Sequence, residues 1–302
     1  MPNTTRRKFL QTTAALMAVT AGSHGFTLKK KGLLLAFSTL GCPDWSFRQI
    51  VDFAARHQYS GLELRGLQRQ IDLTKVKEFT QDKAQTLRMM ADHQLKFVDL
   101  GSSATLHFSE AQERKKSLDD GRRFIDLAQE LNCPYVRVFP NNLPKDQDKS
   151  ATMDLIIKGL LELGDHAKGS KVRVLMESHG DLVHSDDLAT VMKGAEHSNT
   201  GMIWDVTNMW TITQEDPKLV YPKLKKYIYH THIKDAKKLD EKITYTRLGQ
   251  GEVPIFEAID LLMKGGYKGY YSFEWEKLWH PELEEPELAL ADYSETMRKH
   301  YN

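Results

Sequence analysis

Cysteine is scarce in this chain, which has two among 302 residues, and proline and glycine number only 10 and 19. Two cysteines cannot build a disulfide framework or a cysteine-rich zinc site. The sequence also lacks an excess of either charge, because 42 Lys and Arg residues face 41 Asp and Glu residues. That balance leaves no basic surface for a phosphate backbone, so we expect no nucleic-acid partner. With 40% hydrophobic and 27% charged residues, the composition is typical of a globular protein.

Residues 1–26 predict a twin-arginine-type signal peptide that precedes the fold. A basic cluster at 6–8 is followed by a weakly apolar stretch at 9–19 and then by small residues that suit a signal peptidase. The apolar stretch is too short to span a bilayer, so we expect no membrane span. The string TRRKFL at 5–10 resembles a twin-arginine export signal, the alternative being an ordinary basic N-terminus. Such a signal predicts a periplasmic or secreted protein. Cleavage after residue 21 would leave 39 basic and 41 acidic residues, a net charge of −2.

Strand-like runs and amphipathic helical patterns alternate eight times along residues 30–302. The predicted strands are Leu33–Leu40, Gly61–Arg65, Lys96–Leu100, Tyr135–Phe139, Val172–Glu177, Gly201–Asp205, Tyr227–Ile233 and Gly269–Trp275. The predicted helices are Ser46–His57, Thr74–His93, Ala111–Leu131, Lys149–Ala167, Asp186–Ala195, Pro217–Lys225, Val253–Lys264 and a last one from about Glu287 to Tyr301. Eight βα units fit an α/β fold with a single (β/α)8 TIM barrel better than a doubly wound sheet. The first strand is followed by no glycine fingerprint, which argues against a Rossmann fold.

The two cysteines test this topology. Cys42 follows the first predicted strand and Cys133 precedes the fourth, so the two lie at opposite ends of the barrel. A strand of six residues is about 20 Å long, and a disulfide needs Cα atoms within about 7 Å. We therefore expect two free thiols.

Ligand-type side chains stand at the ends of four consecutive predicted strands. They are Glu177, Asp205, His232 and Glu274. In a barrel these ends meet at one mouth, where active residues cluster. Singly, each has an ordinary alternative, such as a helix cap, a surface group or a core histidine. Together, three carboxylates and an imidazole predict one divalent metal ion, with Mn²⁺ preferred and Mg²⁺, Co²⁺ or Zn²⁺ as alternatives.

Strand alternation adds neighbours to this site. Side chains two residues apart share a face, so His179 and Glu276 join the mouth beside the ligand-type glutamates. Lys234 lies one layer outward from His232 and is a candidate for contact with a substrate oxygen, the alternative being a solvated rim lysine. His230 lies one layer deeper, where we expect a structural role.

The order of motifs resembles the xylose-isomerase-like barrel superfamily, in its sugar phosphate isomerase/epimerase family. The motifs are a glutamate-ended strand, Asp-x-x-Asn at 205–208, His-Ile-Lys-Asp at 232–235, Leu-Gly-x-Gly at 248–251 and Phe-Glu-x-Glu at 273–276. The stretches TLGCPDW at 39–45 and FEWEKLWHPELEEPE at 273–287 look like those of exported members. The resemblance implies that Glu177, Asp205, His232 and Glu274 bind the metal, with Glu177 and Glu274 exchanging a proton on opposite sides of the substrate carbon.

Placement and resemblance together supply the substrate-binding candidates. These are Glu63, Arg65, His179, Asn208, Arg247, Glu276, Trp279 and His280. Several relatives carry a histidine where this chain has Asn208, and we expect Asn208 to hydrogen-bond a substrate hydroxyl. For Arg65 and Arg247 the alternative is a salt bridge across loops. The acidic run at 282–287 is interpreted as a solvated helix start.

Three functions remain open. The leading one is a metal-dependent isomerase or epimerase that works through an enediolate on an unphosphorylated sugar or keto-sugar, with Glu177, Glu274 and Lys234 as catalytic residues. The second is a lyase or hydratase that uses the same site on 3-keto-glycosides or their dehydrated products. The third is a non-catalytic exported sugar-binding barrel. The sequence leaves the sugar, the reacting carbon and the formation of a homo-oligomer open.

Overall fold

Eight parallel strands close into a barrel in the computed structural model, which describes residues 33–239 and 242–301. The barrel strands are β1 Leu35–Ser38, β2 Gly61–Leu64, β3 Lys96–Thr105, β4 Tyr135–Phe139, β5 Arg173–Glu177, β6 Thr200–Asp205, β7 Ile228–Ile233 and β10 Tyr271–Phe273. Each pairs with its neighbour in chain order, and β10 closes the ring between β7 and β1. The predicted TIM barrel is confirmed. The predicted signal segment at 1–26 lies outside the described residues.

Helices follow the strands and cover the outside of the barrel. They are α1 Phe47–Arg56, α2 Lys83–Asp92, α3 Ala111–Glu130, α4 Lys149–His166, α5 Ser185–Gly194, α6 Val206–Thr213, α7 Pro217–Leu224, α8 Ile255–Lys264 and α9 Pro286–Tyr301. Short 3₁₀ turns occupy Thr39–Gly41, Leu73–Lys75 and Lys77–Phe79. Within the described ranges, no helix is both long enough and apolar enough to cross a membrane.

The first helix shows how local sequence sets an element. Ser46 caps α1, because its Oγ accepts the Gln49 amide at 3.4 Å while Gln49 Oε1 accepts the Ser46 amide at 2.9 Å. Ile50 and Val51 are fully buried on the face toward the barrel. Burial of such a side chain stabilises the fold by about 1.5–3 kcal/mol.

The single helix predicted over Thr74–His93 is wrong. Leu73, Val76 and Phe79 are buried at a spacing of three residues. A 3₁₀ turn places residues i and i+3 directly above one another, so this spacing suits the two short turns that the structure has in place of a helix. The α-helix itself starts only at Lys83.

Two elements at the open end of the barrel were not predicted. β8 Asp235–Leu239 pairs antiparallel with β9 Lys242–Thr246, and α6 Val206–Thr213 follows β6 directly. Both follow strands that carry ligand-type residues, so both contribute to the site described below.

We expect neither thiol to react with Ellman's reagent in the native protein. Cys42 and Cys133 are buried and unpaired, as predicted, and burial raises the pKa of both thiols well above the ordinary value. The reactive species is the thiolate, which burial disfavours. Unfolding in urea should release both of the chain's thiols. Reaction of either thiol before unfolding would contradict this placement.

Candidate metal centre

Four buried side chains meet at the carboxyl end of the barrel. Glu177 ends β5, Asp205 ends β6, His232 lies in β7 and Glu274 follows β10. One ligand-type atom of each lies within 4.8 Å of the other three. The structure thus brings together the four residues that the sequence analysis selected.

The ring of His232 faces the three carboxylates through Nδ1. Nδ1 lies 3.2 Å from Glu177 Oε1, 3.3 Å from Glu274 Oε2 and 3.7 Å from Asp205 Oδ2. Burial alone would lower the pKa of His232, but the surrounding carboxylates hold it well above the ordinary value. Three carboxylates therefore surround one side of this ring.

Lys234 supplies positive charge beside this centre. Its Nζ lies 2.6 Å from Glu276 Oε1, 2.7 Å from Glu274 Oε2 and 2.9 Å from Asp205 Oδ2. The side chain is only 1% exposed, so the alternative of a solvated rim lysine is wrong. Burial favours the neutral amine, yet Asp205, Glu274 and Glu276 hold the pKa of Lys234 well above the ordinary value.

Glu63 lies behind the imidazole of His232 rather than at the open face. Its Oε1 is 3.2 Å from His232 Nε2, and its Oε2 accepts a hydrogen bond from Ser272 Oγ at 2.8 Å and lies 3.0 Å from His230 Nε2. Both oxygens are therefore engaged and 98% of the residue is buried, which corrects the prediction of a substrate contact. A carboxylate in this position orients a ligand histidine. His230 has the structural position that we expected.

Asp205 has two separate contacts. Its Oδ1 accepts the Asn208 amide at 2.8 Å and so caps α6. Its Oδ2 points to the centre and accepts no aligned hydrogen bond within the described chain. Asn208 Nδ2 donates to Glu177 Oε1 at 3.4 Å, so Asn208 contacts a ligand-type carboxylate, and its contact with substrate stays a prediction.

The remaining candidates lie around the rim. His179 Nδ1 lies 2.9 Å from Asn141 Oδ1, and His280 Nε2 lies 3.7 Å from Glu276 Oε2. Trp279 is 51% exposed, which leaves its ring open to a ligand. Their contacts with substrate stay predictions.

Arg247 forms the salt bridge across loops that was its alternative. Its Nε donates to Glu284 Oε2 at 2.6 Å, and its Nη1 lies 3.2 Å from Asp292 Oδ1. This pairing accounts for Arg247 without a substrate. It also corrects the interpretation of the acidic run as merely solvated, because Glu284 is half-buried in this pair.

Two residues that shape the site were not predicted from the sequence. Arg137 donates from Nη1 to Glu177 Oε2 at 3.2 Å and is 3% exposed. The sequence feature that could have identified Arg137 is a charged residue in the middle of an apolar strand. Asp235 Oδ2 accepts the amides of Gly249 at 2.8 Å and Gly251 at 2.9 Å, which ties the glycine loop to β8. A Cβ on Gly251 would overlap Asp235 Oδ1, so this loop requires glycine there.

The donor set fits a divalent cation. Three carboxylates and one imidazole are the ligands that Mn²⁺, Mg²⁺, Co²⁺ and Zn²⁺ accept. The buried Oδ2 of Asp205 forms an ion pair with Lys234 at 2.9 Å but no well-aligned hydrogen bond, so a lone pair remains for an ion. Glu177, Asp205, His232 and Glu274 would hold the ion, with Glu63 behind the histidine.

The chain is similar to known proteins in sequence, through a family profile, and in fold, through solved structures. The sequence profile of the family described as xylose isomerase-like TIM barrel matches residues 51–300. No curated protein sequence shows significant similarity to the chain.

Solved structures share the fold at low identity. The probable 3-DHS dehydratase AsbF from Bacillus anthracis is 17% identical with a TM-score of 0.72, and the match covers 88% of this chain and 98% of AsbF. The IOLI protein with a binding zinc atom is 15% identical with a TM-score of 0.76, over 89% and 99% of the two chains. The 3-keto-D-glucoside 4-epimerase YcjR from E. coli is 14% identical with a TM-score of 0.71, over 88% and 99%.

We expect Asp205→Asn to weaken Mn²⁺ binding more than about 100-fold, since loss of an outer-shell partner alone costs about 10–100-fold. Asparagine still caps a helix, so α6 should persist. Titration calorimetry with Mn²⁺ measures the affinity. Asp216→Asn is the matched control, because Asp216 caps α7 in the same way, with Oδ1 2.8 Å from the Lys218 amide. Equal affinity in both variants would rule out Asp205 as a ligand.

We expect Lys234→Met to lower the free energy of unfolding by about 3–5 kcal/mol in metal-free buffer, because it leaves buried carboxylates without their cation. Saturating Mn²⁺ should reduce this loss, since an ion bound to the folded state stabilises it. Urea unfolding with chelator and with Mn²⁺ measures both. The control is Lys226→Met, whose exposed pair with Glu196 should matter little. An unchanged unfolding midpoint for Lys234→Met would contradict the buried pairing.

Proposed function

The chain belongs to the xylose isomerase-like TIM barrel family, and from that premise we propose that it is a metal-dependent isomerase or epimerase of an unphosphorylated sugar or keto-sugar. The observation that carries the proposal is the convergence of Glu177, Asp205, His232 and Glu274 on one buried point. The fold shared with a 3-keto-D-glucoside 4-epimerase supports it. We also propose a periplasmic or secreted location, on the strength of the basic string at 5–10.

The proposed resident ion is Mn²⁺, with Mg²⁺, Co²⁺ or Zn²⁺ as alternatives. When bound, it would polarise a substrate carbonyl and its neighbouring hydroxyl and so acidify the carbon between them. The side chains around it have the remaining tasks: removal of a proton, stabilisation of the charge that develops, and return of a proton.

Glu177 and Glu274 exchange the proton in this proposal. Burial would raise their pKa values, but nearby cations together outweigh it. His232 and Arg137 lower the pKa of Glu177 to about 2, and His232 and Lys234 hold that of Glu274 well below the ordinary value. Both are ionised near neutral pH, and either one can start as the base. If one removes the proton and the other returns one on the opposite face, the product is an epimer.

Lys234 stabilises the developing negative charge. Its ammonium lies 2.7 Å from Glu274 Oε2, so it remains beside the carboxylate that exchanges the proton. A fixed cation at that place favours the enediolate over the starting ketone.

A lyase or hydratase is the second candidate. The same enolisation leads to β-elimination when a neighbouring oxygen leaves, and the fold shared with a probable 3-DHS dehydratase favours this outcome. Its substrates would be 3-keto-glycosides or their dehydrated products. Product analysis separates the two candidates.

We expect Glu177→Gln and Glu274→Gln each to slow proton exchange by about 10²–10⁴-fold, because each removes one acid–base group. The measurement is the entry of deuterium at the substrate carbon beside the carbonyl. It is monitored by NMR in D₂O with a panel of free sugars and 3-keto-sugars. Glu295→Gln, on the exposed side of α9, is the control. Ordinary exchange in either site variant would refute the assignment. Wild-type protein that binds metal and sugar without any exchange would be a sugar-binding barrel.

A further inference from the structure

Arg65 is a buried guanidinium without a carboxylate partner. It is 8% exposed, and its contacts are neutral and long: Nη1 is 3.5 Å from the Gly101 carbonyl and Nη2 is 3.3 Å from Ser103 Oγ. In the part of the chain that the structure describes, no Asp or Glu forms an ion pair with it. The other buried cations of the site, Arg137 and Lys234, are both paired. A buried charge without a partner is costly.

Arg65 faces the interior of the barrel above Glu63. Glu63 points inward, since it contacts His232, and the side chain two residues on shares that face one layer nearer the open end. Arg137 points inward from β4 to Glu177. Between them, a Cβ on Gly101 would lie 2.7 Å from both Arg65 Cδ and Arg137 Nη2. The missing side chain at Gly101 therefore lets two arginines pass over β3 side by side.

Of these two like charges, only that of Arg137 is in an ion pair. Glu177 takes up one nitrogen of Arg137, while Arg137 Nε is buried without a partner in the described chain. Burial and the charge of Arg137 lower the pKa of Arg65 to about 9, although the more distant carboxylates of Glu177, Glu274 and Asp120 act in the opposite direction. An anion beside Arg65 would compensate the charge.

We propose that Arg65, next to Arg137, binds a carboxylate of the substrate, so that the site acts on a sugar acid rather than on a neutral sugar. The inference rests on the proposed function. A guanidinium matches a carboxylate with two parallel hydrogen bonds. One unpaired positive charge also matches the single charge of a carboxylate better than a phosphate monoester, which carries about −1.5 to −2.

Three probes that share their first five carbons test the proposal: D-fructose, D-fructuronate and D-fructose 6-phosphate. Titration calorimetry on the Mn²⁺-loaded full chain compares wild type with Arg65→Met and with Arg69→Met. Arg69 is the matched control, because it follows the same strand but is exposed and paired with Asp44 at 2.6 Å. We expect wild type to bind D-fructuronate at least about tenfold more tightly than D-fructose, the size of one charged hydrogen bond. Arg65→Met should lose this preference, and Arg69→Met should keep it.

The outcomes distinguish failure of the carboxylate assignment from failure of the proposed function. Equal binding of D-fructose and D-fructuronate, a preference that survives Arg65→Met, a preference for the phosphate, or no binding of any probe by Mn²⁺-loaded protein would each overturn the carboxylate assignment. Failure to bind Mn²⁺ would instead overturn the proposed function. Thermal unfolding gives a readout independent of the probes. Removal of an unpaired buried charge should raise the unfolding temperature of Arg65→Met, whereas a lower one would show a structural arginine.

Discussion

Compensation of buried charge inside the barrel is the constraint on which this structure depends. Among the described residues, five carboxylates on or directly after the barrel strands are at most 7% exposed: Glu63, Asp99, Glu177, Asp205 and Glu274. Each must be paired, protonated or bound to a cation, because a lone buried carboxylate is strongly unfavourable. Lys234, Arg137 and the two β7 histidines pair with four of them. Burial and Glu63 raise the pKa of Asp99 well above the ordinary value, which favours its neutral form. The inward faces of the strands thus carry function, while apolar outward faces hold the helices.

Much of this fold is predictable because its signals are local. Each barrel strand is a short apolar run, and each of the longer helices buries one face. The hydrophobic period of each element and the alternation of strands and helices along the chain are therefore enough to predict the barrel. The helix predicted over Thr74–His93 was wrong because one spacing fits two structures. Apolar residues at intervals of three, such as Leu73, Val76 and Phe79, suit a helix or successive 3₁₀ turns. The hairpin β8–β9 was not predicted because β9 has no continuous buried apolar face.

The meeting of the four ligand-type residues was predictable for a topological reason. Parallel strands bring their carboxyl ends to one place, so residue type at the strand ends is enough. Roles that depend on a partner across the barrel were not predictable. Glu63 resembled a substrate contact until its oxygens were seen beside His230 and His232, and nothing in the sequence pairs Arg247 with Glu284. Arg65 differs from both, because it is a buried charge for which the described chain offers no ion-pair partner.

The most direct test of the central claim is an anomalous difference map from crystals grown with Mn²⁺. The account predicts one strong peak among Glu177, Asp205, His232 and Glu274, at about 2.0–2.3 Å from an atom of each. A peak at another place, such as between Glu63 and His230, or a map without a peak, would contradict it. The four residues would then be a buried ion-pair network and not a metal centre.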